Sequence, residues 1–275
     1  MTTLVIGARG SIGRHVLDQL HTAGEPVRAS VRDLSTAGDL PAGVPVVEAD
    51  LTRPATLGAA LDGVRRVFVY ALPADPAPFA AAVAAAGVEH VVLLSSGSVL
   101  LPWTADNAIA REHREVEAAL PATPVRPLVL ANNALAWARS IRAEGVVRVA
   151  YPDAATAPIH ERDIAAVAVA ALRDPRTPGV SDLLTGPDPL TQREQVRAIA
   201  EALGRPVRLE EIAPAEAEAA FARFAGAETA AAILEFLEHA RHPGGSPATD
   251  TFERVTGRRP APYTAWARDH AADFR

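Results

Sequence analysis

One stretch constrains this chain more than any other: TTLVIGARGSIGRHVLDQL, from Thr2 to Leu20. The β-branched apolar run TLVIG reads as a strand buried on both faces. Gly7, Gly10 and Gly13 follow, and Ile12, Val16, Leu17 and Leu20 then recur at helical spacing until Gly24 closes the helix. A strand that turns through glycines into a helix opens a doubly wound α/β fold, and in that context a glycine fingerprint carries meaning. Gly7 permits the tight turn, Gly10 lets backbone approach a pyrophosphate, and Gly13 lets helix and strand pack closely. Free N–H groups at the helix start, around Ser11 and Ile12, favour an anion there. The competing reading is a glycine-rich turn in a fold that has lost its cofactor.

The second strand, PVRASVRD, ends in Arg32 followed by Asp33. An acidic residue here bonds a ribose 2′-hydroxyl, whereas an arginine pairs with a 2′-phosphate. Arg32, flanked by Arg9 from the glycine turn, points to NADP(H) over NAD(H). The alternative is a pair of solvated surface arginines.

Alternation continues through VPVVEAD, TLGAALDGV, RRVFVYALP, DPAPFAAAVAAAGV and EHVVLLSSG, strand and helix by turns, which predicts a parallel, doubly wound sheet. Ligands in such sheets bind at the C-terminal strand ends. That places Asp50 and Leu51 beside an adenine ring, and Ala71, Leu72, Ser95, Ser96 and Gly97 at the crevice. The expected organisation is a Rossmann core over residues 1–130, rejoined by segments near 145–185, and a small, mainly helical substrate-binding region over 131–275 in the same compact unit.

Composition narrows the function. A net charge of −6 carries no basic field for nucleic acid or anionic lipid. The longest apolar run, Phe79 to Val88, is half the length of a membrane span. With no signal-like segment ahead of the first strand, the expected location is cytoplasmic, with no nucleic-acid or membrane partner. There is no cysteine, and all 27 basic residues are arginine, so thiolate and amine chemistry are both excluded. No metal-ligand spacing, nucleophile elbow or phosphate loop ending in Gly-Lys-Ser/Thr occurs.

Taken together, LVIGARGSIGRHV, VPVVEADLTRPATLGAALDGVRRVFV, HVVLLSSGS, VRPLVLANNAL, IHERDIAAVAVAAL and LLTGPDPLTQREQVRAIAEALGRPV resemble the NmrA-like atypical short-chain dehydrogenases/reductases. The resemblance extends to the closing FERVTGRRPAPYTAWARDH and implies a Rossmann core, a C-terminal substrate region and a bound NADPH. Two departures stand out. Arg9 replaces the threonine usual in the family's glycine turn, and the tyrosine–lysine dyad of typical short-chain dehydrogenases is absent, since the chain has no lysine.

Without the dyad, His113 on the helix NAIAREHREVEAAL is the candidate proton donor, against a solvated, charge-laced helix face. Ser96 and Ser98 fall where related enzymes orient substrate, and are otherwise turn residues. The resemblance puts Asn132, Asn133 and Trp137 at the nicotinamide and pocket wall. Trp103 and Trp137 are candidates for one aromatic slot, and Tyr151 borders the crevice near His160. Asp163 reads as a helix-start carboxylate, and HPGGSPAT (242–249) as a mobile edge over the substrate.

The leading expectation is therefore an NADPH-dependent reductase of a small conjugated or aromatic carbonyl or quinone. A conjugated acceptor suits the missing dyad, because its reduced anion is already delocalised. The alternatives are an NADP(H)-sensing regulator without catalytic activity, and a non-redox enzyme with a structural cofactor. The C-terminal helices either cap the pocket or form a homodimer face.

Overall fold

The structure is a computed structural model that describes residues 1–70 and 75–275. Its core is a seven-stranded parallel sheet made of β1 (Thr2–Val5), β2 (Val27–Val31), β3 (Val46–Glu48), β4 (Val64–Tyr70), β5 (His90–Leu94), β6 (Thr123–Pro127) and, late in the chain, Leu183–Leu184. Counting β7 (Val146–Val149) and β8 (Ala155–Thr156) on the way makes that last strand β9, and the spatial order is β3-β2-β1-β4-β5-β6-β9. Order reverses beside β1, so the topological switch point lies between β1 and β4, where the glycine turn emerges.

Helices cover both faces. On one, α1 (Ser11–Thr22) packs on α6 (Glu161–Arg173), burying Val16, Leu17 and Leu20 completely beside Ile164, Ala168 and Leu172. On the other lie α2 (Leu57–Leu61), α3 (Ala77–Ala85) and α4 (Ala108–Ala119), with Leu57, Leu61, Phe79 and Val83 in a second cluster. Each fully buried Leu contributes about 1.5–3 kcal/mol, so the spacing seen in the sequence accounts for the sandwich.

Beyond β6, α5 (Ala138–Glu144) leads into β7, which pairs not with the main sheet but in parallel with β11 (Arg208–Glu211). β8 pairs with β10 (Leu190–Thr191). β9 sits at the edge of the main sheet, while β7 and β8 lie in two small two-stranded sheets. The strands RLEE and VVRV match each other in length and register, which pairs one edge of each away from the main sheet. The remaining helices are α7 (Gln192–Leu203), the hairpin α8 (Pro214–Ala225) and α9 (Ala227–His239), α10 (Thr251–Thr256) and α11 (Tyr263–Asp269). A third cluster joins α7 and α11 to residues 131–138 through Ala131, Ala134, Ile199, Trp266 and Phe274.

Candidate functional site

The glycine turn is shaped by steric contact. Gly7 has φ +75°, and a Cβ there would lie 2.5 Å from Tyr70 Cε1. A Cβ on Gly13 would come within 2.2 Å of the Gly7 carbonyl oxygen. Gly10 is looser: its nearest neighbour would be the Gly7 oxygen at 3.2 Å, an oxygen that already accepts from Gly10 N–H at 2.8 Å. Gly7 and Gly13 are thus required by the fold itself, and Gly10 keeps one face open.

That face opens into a cleft of about 900 Å³ running over the C-terminal ends of β1, β2, β3 and β4. Gly7, Arg9, Gly10, Ser11, Ile12, Gly13, Arg32, Asp50 and Leu51, all candidates from the sequence, line it. Ser30, Thr36, Thr52, Phe68, Tyr70, Leu94 and Leu130 also line it without having been singled out. Tyr70 had a legible signal, an aromatic at the C-terminal end of a central strand; the threonines had none. The expected contacts Ala71 and Leu72 lie outside the described residues.

The chain's own groups leave this cleft ready for a polyanion. No side chain caps α1, and its first turn carries no acidic residue, so its N–H groups and dipole face the cleft uncompensated. Ser30, 1% exposed, has a hydroxyl without a protein partner. Arg9 and Arg32 are exposed on the rim and, among the described residues, form no ion pair. Asp33, by contrast, is occupied: Oδ1 accepts from Ser35 N–H at 2.8 Å and Ser35 Oγ at 2.7 Å, which holds its carboxyl below the ordinary value. Asp50 is held likewise. Bonds from the Thr52 hydroxyl and N–H, and then from Arg53, bring it down to about 2. These residues fit a dinucleotide phosphate chain.

The other candidates fall into several places. Asn132 joins the cradle, its Nδ2 donating to Ser11 Oγ at 2.8 Å, while Asn133 beside it is exposed. Ser95 does not reach the cleft. It is 5% exposed, and its hydroxyl donates to Glu117 Oε1 at 2.5 Å, because Glu117 and Arg126 form a bidentate pair behind β5 (2.9 and 2.6 Å) that draws it in. Burial raises the Glu117 carboxyl, but the Arg126 and Ser95 bonds outweigh it and hold it below its ordinary value. Ser96 caps the 3₁₀ turn Gly97–Leu100, and its hydroxyl lies 2.8 Å from that of Ser98. Ser98 is buried, and its carbonyl accepts from Thr104. Both serines thus do the work of a turn.

His113 sits half-buried on α4, outside the cleft walls. Its Nδ1 is 2.8 Å from the Ile109 carbonyl, which can only accept, so Nδ1 carries a proton and Nε2 is the open nitrogen. The expected single aromatic slot does not form. Trp103 stacks on His239 (4.4 Å, 4°) and on Phe236 of α9, whereas Trp137 packs in the α7–α11 cluster, each indole taken by the nearest apolar helix face. Tyr151 adopts φ +55° under the Arg241 guanidinium, in the small cluster beneath the α8–α9 hairpin. Asp163 accepts from Ala261 N–H at 2.7 Å and so anchors the C-terminal segment. The 242–249 edge is pinned at Thr249, which bonds the Leu183 carbonyl and the Thr185 hydroxyl.

Sheet order, switch-point cleft and glycine cradle together define a dinucleotide-binding protein of the Rossmann type. The chain belongs to the NAD(P)H-binding family, whose model matches residues 7–175. It is 39% identical to a (4-alkanoyl-5-oxo-2,5-dihydrofuran-3-yl)methyl phosphate reductase of Streptomyces griseus, over 98% of both chains. It is 34% identical to an NAD(P)H azoreductase of Xenophilus azovorans, again over 98% of both. A crystal structure of an NADPH-dependent quinone oxidoreductase from Escherichia coli, complexed with NADPH, superposes with a TM-score of 0.76 at 22% identity, over 98% of this chain and 99% of that one. The chain is an NAD(P)H-dependent oxidoreductase, a reductase of small molecules in the general sense its relatives share. Among the described residues, no helix is long and apolar enough to cross a membrane.

Proposed function

We propose that the chain is an NADPH-preferring reductase of small conjugated acceptors, such as ring enones, quinones or azo compounds. The observation that carries the cofactor preference is the contrast at the rim of the cleft: Arg9 and Arg32 lack carboxylate partners, while Asp33, the acid that would select a free ribose, is spent on its own turn. A charge-assisted bond to a 2′-phosphate contributes about 1.5–3 kcal/mol, a preference of roughly tenfold to a hundredfold per arginine.

Bound NADPH supplies a hydride to the electrophilic carbon. The protein's part is to hold and to orient. Gly10, Ser11 and the start of α1 bind the pyrophosphate, Asp50 and Leu51 flank the adenine, and Asn132 braces Ser11 from the nicotinamide side. The Streptomyces relative supports the acceptor class, since its named substrate carries an alkanoyl group on an oxo-dihydrofuran ring. Hydride addition to such a system leaves a delocalised anion, so a strong positioned acid is not required. The proton comes from water, since His113 lies outside the cleft walls.

NADPH and NADH oxidation, followed in parallel against ring enones, quinones, azo dyes and unconjugated aryl ketones, tests the reading. NADPH-selective turnover of the conjugated classes is expected. Turnover confined to unconjugated ketones, or equal use of NADH, refutes it.

A further inference from the structure

Away from the cofactor cleft, two histidines meet one buried carboxylate, with a third histidine nearby, where α1, α6 and α11 come together. Glu161, 2% exposed at the start of α6, has Oε1 2.6 Å from His270 Nε2, and Oε2 3.4 Å from His160 Nδ1 with no hydrogen-bond partner. His270 closes α11, stacks on Trp266 (4.7 Å), and places Nδ1 2.8 Å from Asp273 Oδ2. Both ring nitrogens of His270 therefore face carboxylate oxygens. Two acceptors require two N–H donors, which only the imidazolium has.

We infer that His270, as an imidazolium between Glu161 and Asp273, is a protonation-dependent clasp that holds the C-terminal segment 263–274 on the Rossmann core. Charged and titratable groups lie around it. From α6 come Glu161, His160 and Arg162; from α11 and the following turn, Asp269 and Asp273; from α1, His15, whose ring lies 6.2 Å from that of His160. Arg162 and His160 share Asp269 (2.9 and 3.2 Å). On its other side, α11 meets the apolar Val196 and Ile199 of α7. The hydrogen bond to Glu161 raises His270 above its ordinary value of 6.5, whereas burial lowers His15. Of these two rings, the one that is raised bridges the two parts of the chain.

The clasp has a route to the active cleft. Trp266 and Phe274 pack with Ala131 and Ala134, and Asn132, which lies between those alanines in the chain, bonds Ser11 in the cofactor cradle. Loosening 263–274 therefore loosens one wall of the site without touching the cofactor residues.

The sign follows from linkage. A group raised by folding contributes stability fully below its unfolded value and loses it as pH rises through its folded value. The thermal midpoint of the full chain should fall between about pH 6 and about pH 9, and should fall by roughly 2–4 °C less in His270→Gln. In parallel, the ring-proton NMR signal of His270 in the wild type should titrate above 6.5. That signal is assigned by its absence from His270→Gln or, should this variant not fold, by its displacement in Asp273→Asn, whose carboxylate is exposed. Parallel midpoint profiles for wild type and His270→Gln, or a His270 midpoint at or below 6.5, overturn the clasp.

Discussion

The side-chain amide of Asn132 donates to the Ser11 hydroxyl at 2.8 Å, across 121 positions of sequence, and so joins the segment after β6 to the first residue of α1. Ser11 lies in the anion-binding turn, so this bond fixes the distance between the pyrophosphate end of the cleft and the wall expected beside the nicotinamide. Asn132→Ala removes one neutral hydrogen bond, worth about 0.5–1.5 kcal/mol. NADPH affinity, read by fluorescence titration, should weaken roughly two- to tenfold. An unchanged Kd would mean the tie is structural only.

Gly10 and Gly13 should separate binding from folding. In Gly13→Ala the new methyl would meet the Gly7 carbonyl at 2.2 Å, a backbone contact that nothing flexible can relieve. A loss of about 2 kcal/mol or more is expected, seen as a lowered thermal midpoint even without cofactor. Gly10→Ala meets only the Gly7 oxygen, at 3.2 Å, and points its methyl into the cleft. Its midpoint should stay near the wild type while NADPH binding fails.

Arg32→Ala and Arg9→Ala should each reduce the ratio of NADPH to NADH affinity by about tenfold or more, with NADH binding little changed. The salt dependence of NADPH binding should fall in the same variants, because both guanidiniums are exposed and screened. If both variants keep the wild-type ratio, the 2′-phosphate lies elsewhere.

Glu117 is expected to matter for stability rather than turnover. Its side chain and that of Arg126 are 16% and 18% exposed, and Ser95 adds a third partner. Glu117→Ala leaves a largely buried guanidinium unpaired, a loss of about 2–3 kcal/mol, or roughly 5–10 °C in the midpoint. Since folding lowers this carboxyl, its contribution is present above the unfolded value of 4.5 and is lost as pH falls through the folded one. In acid titrations the wild type should lose stability below about pH 4.5 more steeply than Glu117→Gln.

The strand–helix alternation was legible because core elements repeat a local pattern: TLVIG and HVVLL are largely apolar strands, and α1 shows its buried stripe plainly. The cofactor cradle was legible for the same reason, since Gly7, Gly10 and Gly13 act over seven residues of backbone. The roles of the serines and tryptophans were not. Ser95 looks like any residue at a strand's end until Glu117, 22 positions on, takes its hydroxyl.

Local chemistry, then, was enough to determine a doubly wound sheet, a glycine-turn dinucleotide site and the absence of any lysine- or cysteine-based mechanism. Tertiary structure alone decided which hydroxyls and rings remain free for ligands. It drew Trp103 to α9 and Trp137 to α7 and α11, and it brought His160, Glu161 and His270 together across 109 positions. The physical reason is that a backbone turn is specified by the residues within it. A buried polar or aromatic side chain takes whichever partner packing delivers, and that partner is set by the whole fold.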